Sequence, residues 1–373
     1  VETLRAATRP KGKPSEEQLQ ELARTKADLR AAESELAVLV ARRDELLAVI
    51  PNPPDASAPD GESDEDAVEV RRVGDPPSFS FEPRDHLALG GFDVERAVRL
   101  SGTRFVYRMG AVALVELALY RYALDRLAER SFVPVLPPVL VLEKAMYGTG
   151  FLPTEEANLY RVEPDGLYLT GTSEVALAGL HLEEILEEGS LPLRYAGYST
   201  CFRREAGAAG RDTRGIFRVH QFDKVEMFVY TTPERSGEEH EAILAVEEEL
   251  VQGLGLAYRV VNTAAGDLGP SAAKKYDIEA WIPSQGRYRE ITSCSNTTDY
   301  QARRLKVRYR DGGELRHPHT LNGTAMTARW LIALLESYQD EGGDVTVPEV
   351  LQRYGAPARV TPGEGAGPPP ASS

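Results

Sequence analysis

The longest regular pattern in the chain lies near its beginning. Between Ser15 and Val49, apolar residues recur at heptad a and d positions: Leu22, Leu29, Ala32, Leu36, Leu39 and Leu46. Thr25 and Arg43 are the weak points of this seam, and nothing breaks a helix until Pro51. Ser15 is placed to cap the helix, with Glu16, Glu17 and Glu21 in the early turns, where the helix dipole favours acidic residues. At ~1.5 Å per residue such a helix is about 50 Å long. One narrow seam needs a partner, because helical stability in water comes mainly from burying it. Two arrangements satisfy it. One is a dimerising coiled coil; the other is half of an antiparallel two-helix arm, with Lys11-Gly12-Lys13-Pro14 as its hairpin turn.

After the seam the pattern changes. Residues 51–64 are polar and Pro-rich and read as linker. A β-type run follows at Val68–Val73, and from about residue 76 to 354 alternating strands mix with helices. FVPVLPPVLV reads as strand and turn, GLYLTGTSEVALAGLHLEEILEE as strand then helix, and FRVHQFDKVEMFVY as one long strand. SGEEHEAILAVEEELVQGLG is an amphipathic helix, KYDIEAWIP and ELRHPHTL are strands, and AMTARWLIALLESYQ is a helix. Few βαβ units intervene, so the fold class is α+β with an antiparallel or mixed sheet. The domain division is an arm at 1–50, a linker at 51–75, a body at 76–354 and a disordered low-complexity tail at 355–373.

Composition narrows the function. The 373 residues are 42% hydrophobic and 27% charged, which suits a large soluble core. No run approaches ~18 consecutive apolar residues, so no membrane span is expected. The N-terminus lacks the apolar core of a secretion signal, and two cysteines build neither a disulfide framework nor a Cys-rich zinc site. The expectations are a reducing cytoplasm, no zinc, no membrane and no DNA. A net charge of −15 argues against nucleic-acid binding by the whole body. Residues 1–14 depart from it, with Glu2 set against Arg5, Arg9, Lys11 and Lys13. Neither a Walker nor a Rossmann glycine pattern occurs.

Three segments concentrate chemistry. Thr172-Ser173-Glu174 follows the apolar GLYLT, and its bland reading is a helix N-cap with an acidic first turn. Cys201-Phe202-Arg203-Arg204-Glu205 precedes the loop AGAAGRDTRG and then FRVHQFDKVEM; alternation puts Arg218, His220, Phe222, Lys224 and Glu226 on one strand face. A solvated sheet face is the bland alternative. Arginines on adjacent strands with an aromatic ring between them suit a polyphosphate and a stacked base. The third segment is Arg289-Glu290-Ile291-Thr292-Ser293, joined by Asn322-Gly323-Thr324-Ala325-Met326-Thr327-Ala328-Arg329 opening a helix. A strand carboxylate beside Ser293 suits a hard cation such as Mg²⁺, whereas Arg329 alone reads as an exposed helix residue.

Together these segments, in order and spacing from about residue 15 to 354, resemble the bacterial-type seryl-tRNA synthetases, a class II aminoacyl-tRNA synthetase family. The resemblance is strongest in CFRREAGAAGRDTRGIFRVHQFDKVEMF, KYDIEAWIPSQGRYREITSCSNTTDYQARR and HTLNGTAMTARWLIALLESYQ. FVPVLPPVL is similar to the family's dimer-forming first motif, with Pro137 at its proline. The FRRE-to-FRVHQF stretch and the run ending at Arg329 resemble the second and third motifs. The resemblance implies an antiparallel sheet flanked by helices behind a helical coiled-coil arm, and a cytoplasmic homodimer. It implies a serine–tRNA ligase: L-serine and ATP give seryl-adenylate, and the seryl group passes to the 3′ end of serine tRNA. Arg203 then matches the catalytic arginine at the α-phosphate and serine carboxylate. Arg218 and Arg329 match those at the terminal phosphates. Glu290 and Ser293 match Mg²⁺ ligands. Phe222 matches the adenine-stacking position, and Glu205 the one that reads the adenine amino group. Thr172, Glu174, Glu226 and Thr324 match positions contacting serine. A pocket that hydrogen-bonds a hydroxyl rejects alanine strongly, while excluding threonine rests on one methyl, worth ~1–3 kcal/mol; mis-activated threonine is the expected error.

The family arm has two helices and this chain, which opens on Val1, supplies one, so an upstream extension of about one helix is expected. The shortened arm keeps an alternative in view: a paralogue that activates serine but delivers it to a carrier protein or biosynthetic intermediate. A non-catalytic RNA-binding paralogue should have lost phosphate-clamping arginines, and Arg203, Arg218 and Arg329 are all present.

Overall fold

The computed structural model describes residues 2–3, 15–206, 212 and 215–363. The basic head at Arg5–Lys13 therefore lies outside the described residues, as does 364–373 of the tail. The described chain forms two units, one ending at Ile50 and one beginning at Pro51.

In the first unit, α1 spans Glu16–Ala48. Its start is a reciprocal capping box: the Ser15 hydroxyl accepts from the Gln18 N–H at 3.3 Å, and the Gln18 side chain accepts from the Ser15 N–H at 2.8 Å. The seam residues Leu36, Leu39 and Leu46 are about half exposed.

The second unit is built on one eight-stranded sheet. Its strands are β1 (Val68–Val73), β2 (Val133–Val135), β3 (Leu193–Phe202), β4 (Gln221–Thr231), β5 (Tyr258–Asn262), β6 (Lys274–Ile282), β7 (Arg287–Asn296) and β8 (His319–Thr327), in the spatial order β1-β5-β6-β7-β8-β4-β3-β2. Every pair is antiparallel except β2 with β3. Three helices, α2 (Gly110–Glu129), α3 (Ser236–Gly253) and α4 (Ala328–Ser337), supply the core on one face with Val115, Leu119, Ile243, Leu244, Trp330 and Leu331. Alternation along β4 sends Val225, Met227 and Val229 into that core. Phe222 and Lys224 open on the opposite face, and Phe228 and Tyr230 continue it into a second apolar cluster.

Two bulges set which side chains share a face. On β7, Glu290 pairs with Glu279 while Thr292 pairs with Ile278, leaving Ile291 as the extra residue. On β8, Thr324 pairs with Glu226 while Met326 pairs with Val225, leaving Ala325 extra. Glu290 and Ser293 are an odd number of residues apart and would otherwise face opposite ways; the bulge turns both toward the open face.

Several boundaries differ from the sequence expectation. The expected linker 51–75 is packed on the body. Asn52 is buried, its amide donating to the carbonyls of Ser271 and Thr297 at 2.9 Å each, and Val68–Val73 is an edge strand paired with β5. The expected disordered tail is ordered as far as Gly363, where Arg359–Val360 pairs with Val345–Thr346. The long strand expected from Phe217 starts at Gln221, so Arg218 and His220 precede it and do not share its alternation. Asn322–Thr327 is strand, not helix, since pairing with β4 overrides the helix propensity of Ala and Met there. The helix after GLYLT is only Glu174–Ala178.

Candidate active site

A cleft of about 620 Å³ opens on the sheet face away from α2 and α3, with the first turn of α4 in its lining. Of the residues singled out from sequence, Glu174, Arg203, Glu205, Arg218, Phe222, Glu290, Ser293, Thr324 and Arg329 line it. Thr172 and Glu226 do not line it, but both contact Lys224, which does.

One end is buried. Lys224 forms a close ion pair with Glu226, and its ammonium donates to the Thr172 hydroxyl at 3.1 Å. Thr324 Oγ1 donates to Glu226 at 3.3 Å. Glu174 is 7% exposed and accepts from the Gln301 amide at 2.7 Å. Gln301 is itself fixed, its carbonyl accepting from Thr320 Oγ1 at 3.0 Å. Burial, and then the charge of Glu226, push the Glu174 carboxyl up to about 7, against the opposing pull of Lys224. Behind the sheet, Glu247 accepts from Thr292 Oγ1 at 3.3 Å, and burial with the nearby Glu226 holds its carboxyl well above the ordinary range. The N-cap reading of this segment holds in part: Ser173 is the N-cap residue with Glu174 in the first turn, but the capping oxygen is Thr172 Oγ1, which accepts from the Glu174 N–H at 3.3 Å, while the Ser173 hydroxyl bonds Ser199 Oγ at 2.7 Å.

The other end is more open and dominated by guanidinium groups. Arg203 donates through Nε to the Gly171 carbonyl at 3.0 Å, with its guanidinium carbon 5.4 Å from the centre of the Phe222 ring. Arg218 pairs with Glu205. Arg329, in the first turn of α4, donates to Glu290 Oε2 at 3.0 Å and to the Glu290 carbonyl at 3.2 Å. Crowding by protein tends to raise the Glu290 carboxyl, but Arg329, then Lys275 and Arg203, outweigh it and hold it well below the usual range. An ionised carboxylate and the Ser293 hydroxyl facing one cleft are the hard oxygen donors Mg²⁺ takes when phosphates complete its shell. Among the described residues, no group of three or more His, Cys, Asp or Glu side chains is placed to hold a metal ion. Cys201 and Cys294 are both buried.

Sequence reasoning missed Lys224, Asn322 and Gln301 as site residues. Strand parity carried a signal for two of them: Lys224 lies between Phe222 and Glu226 on one face, and Asn322 lies two before Thr324. Gln301 had none, because it reaches Glu174 from a short helix, Tyr300–Arg304, 127 residues on.

The tRNA synthetase class II core domain family (G, H, P, S and T) matches residues 160–338. The serine–tRNA ligase of Leifsonia xyli is 53% identical over 94% of this chain and 84% of its own length. That of Thermobifida fusca is 50% identical over 95% of this chain and 86% of its own. Among solved structures, seryl-tRNA synthetase from Pyrococcus horikoshii, complexed with ATP, superposes with a TM-score of 0.91 at 42% identity, covering 97% of this chain and 89% of that one.

Proposed function

The chain belongs to the class II seryl-tRNA synthetases and is a serine–tRNA ligase, and from that premise we propose how its own residues divide the work. The carrying observation is the position of Arg203, which links the buried acidic end of the cleft to the guanidinium-rich end.

Serine binds at the buried end. Its ammonium is met by Glu174, Glu226 and Thr172, and its hydroxyl by Glu226 and Thr324. Its carboxylate points to Arg203. ATP lies along the other end, with adenine on Phe222, its amino group at Glu205, and its terminal phosphates between Arg218 and Arg329. A carboxylate oxygen attacks the α-phosphorus as the bond to the β-phosphate oxygen breaks, giving seryl-adenylate and pyrophosphate. Two anions must meet for this, and Arg203 offsets their repulsion and the charge that grows in the transition state. Mg²⁺, held by Glu290 and Ser293, would neutralise phosphate charge. The terminal ribose hydroxyl of tRNA then attacks the acyl carbon and AMP leaves.

The arm 1–50 is the tRNA-binding part in this reading, its basic head meeting RNA phosphates. The enzyme is a homodimer in this reading, supported by the exposed Leu114 and Leu117 on α2 and by Val133, Leu136 and Leu142 around the first motif. Among the described residues no helix is long and apolar enough to cross a membrane.

The test is a pair of assays, serine-dependent pyrophosphate exchange and serine transfer to tRNA. Both activities are expected, with transfer much more salt-sensitive than exchange. Exchange without transfer to any serine tRNA would instead support the carrier or biosynthetic acceptor.

A further inference from the structure

Behind the guanidinium-rich end sits a buried pair with no role in the chemistry above. His86 is 4% exposed and Glu336 is fully buried. Glu336 Oε1 accepts from the His86 backbone N–H at 3.1 Å and lies 2.9 Å from ring Nδ1. Its Oε2 accepts from the Ser284 N–H at 3.1 Å. At the far side of the ring, Nε2 accepts from the Ile216 N–H at 3.2 Å. A nitrogen that accepts carries no hydrogen, so the imidazole is the neutral tautomer that donates from Nδ1 to Glu336. The ring is also wedged edge-on between Phe92 and Phe217, with centroids 5.8 and 6.1 Å away. Gly215 presses against it: its φ is +81°, and a Cβ there would come within 2.4 Å of Nε2.

The two ends of this pair belong to the two arginine-bearing segments. Ile216 precedes Arg218 by two residues. Glu336 follows Arg329 by seven on α4, which is two helical turns and the same helix face. We propose that His86 and Glu336 are positioning residues for the nucleotide end: a strut that locks the Gly215–Val219 segment to α4, and so sets Arg218 against Arg329. The proposal rests on the reading of these arginines as holders of the ATP terminal phosphates. The serine ammonium and hydroxyl are met from Thr172, the Glu174 helix, β4 and β8, which the strut does not touch.

Two substitutions separate the strut from general packing. His86→Gln reaches both neighbours, its amide oxygen accepting from Ile216 and its amide nitrogen donating to Glu336. His86→Asn keeps a donor for Glu336 but is too short to accept from Ile216. Loss of that acceptor leaves a buried N–H unpaired, so His86→Asn should raise KM for ATP about tenfold and leave KM for serine within about twofold, while His86→Gln stays near the wild type in both. Amide hydrogen exchange at Ile216–Val219 should quicken in the Asn variant and not in the Gln variant. The proposal is overturned if the folded Asn and Gln variants match in ATP KM and exchange, or if Asn raises both KM values equally. Should the Asn variant not fold, exchange in the wild-type chain decides. An Ile216 amide protected like the β4 amides supports the strut, and one exchanging like an exposed amide overturns it. Arg218→Ala is the control. If it leaves the ATP KM unchanged, the reading of Arg218 is what fails. If it raises the KM while both His86 variants behave as wild type, the strut alone fails.

Discussion

The two ends of the cleft solve opposite electrostatic problems. The proposed serine end gathers two carboxylates, Glu174 and Glu226, around one ammonium, Lys224, all almost fully buried. Desolvation dominates there, and its result is a carboxyl that titrates near neutrality. At the proposed nucleotide end, Arg203, Arg218 and Arg329 outnumber Glu205 and Glu290, and the field of Arg329, then Lys275 and Arg203, holds the Glu290 carboxyl low despite its surroundings. A buried acidic pocket selects a small cation-bearing ligand by hydrogen bonds. A more open basic cleft accepts a large polyanion by charge. In the proposed reading, selectivity is therefore concentrated at one end and charge neutralisation at the other, with Arg203 shared.

The strongest way to break this comparison is to remove the shared residue. Arg203→Ala should lower pyrophosphate exchange by about 100- to 1,000-fold, the size of losing one well-placed transition-state contact at ~3–4 kcal/mol, with circular dichroism unchanged. A variant exchanging at a near-normal rate would show that the ends do not meet there.

Next is Glu226→Ala, which strips Lys224 of its buried partner. Uncompensated buried charge costs about 3–5 kcal/mol, so the melting temperature should fall and KM for serine should rise far more than KM for ATP. Equal losses in both would place Glu226 in the scaffold shared by the two ends.

pH sharpens the contrast. Because Glu174 titrates near 7 in the folded chain, above its ordinary value, it is protonated below that pH, and in the proposed reading it must lose its proton to receive the serine ammonium. Serine affinity should therefore weaken by up to about tenfold per pH unit below 7, since one unit is ~1.4 kcal/mol, while ATP affinity stays flat. Glu174→Gln should flatten the serine profile. The same raised value predicts a stability contribution that is fully present below the ordinary value of 4.5 and is lost as pH rises from there to about 7. A serine KM independent of pH between 6 and 8 would remove Glu174 from ammonium binding.

The smallest effect is expected at Phe222→Leu. Leucine keeps the apolar bulk but loses the stacking face and the cation–π contact with Arg203, together worth about 1–2 kcal/mol, so KM for ATP should rise several-fold with serine untouched.

How much of this was legible beforehand follows the range over which each feature is determined. The Ser15 cap and the α1 seam are local, and they read directly. That most of the candidate residues reach one cleft was legible because their motifs lie on or beside contiguous strands; parity along β4 already placed Phe222, Lys224 and Glu226 together. What did not read is set by partners far along the chain. Asn322–Thr327 looks helical by composition, yet its hydrogen bonds go to β4, about 100 residues earlier. Residues 51–64 look like a tether, yet Asn52 finds buried acceptors at Ser271 and Thr297. Arg218 was aligned with the strand by simple alternation, though its position depends on Ile216 and, through it, on His86.

The bulge at Ile291 has a bearing on how such a chain can change over time. A substitution alters one side chain and leaves its neighbours pointing where they were. Removing Ile291 would alter no functional group, yet it would restore an unbroken ladder and reverse the parity between Glu290 and Ser293. One of the two would then turn toward α3 and the core, and the cleft would lose an oxygen donor although every donor is still encoded. At this point in the gene, a three-nucleotide deletion outside the candidate site residues turns away a donor that a substitution of the same residue would leave facing the cleft.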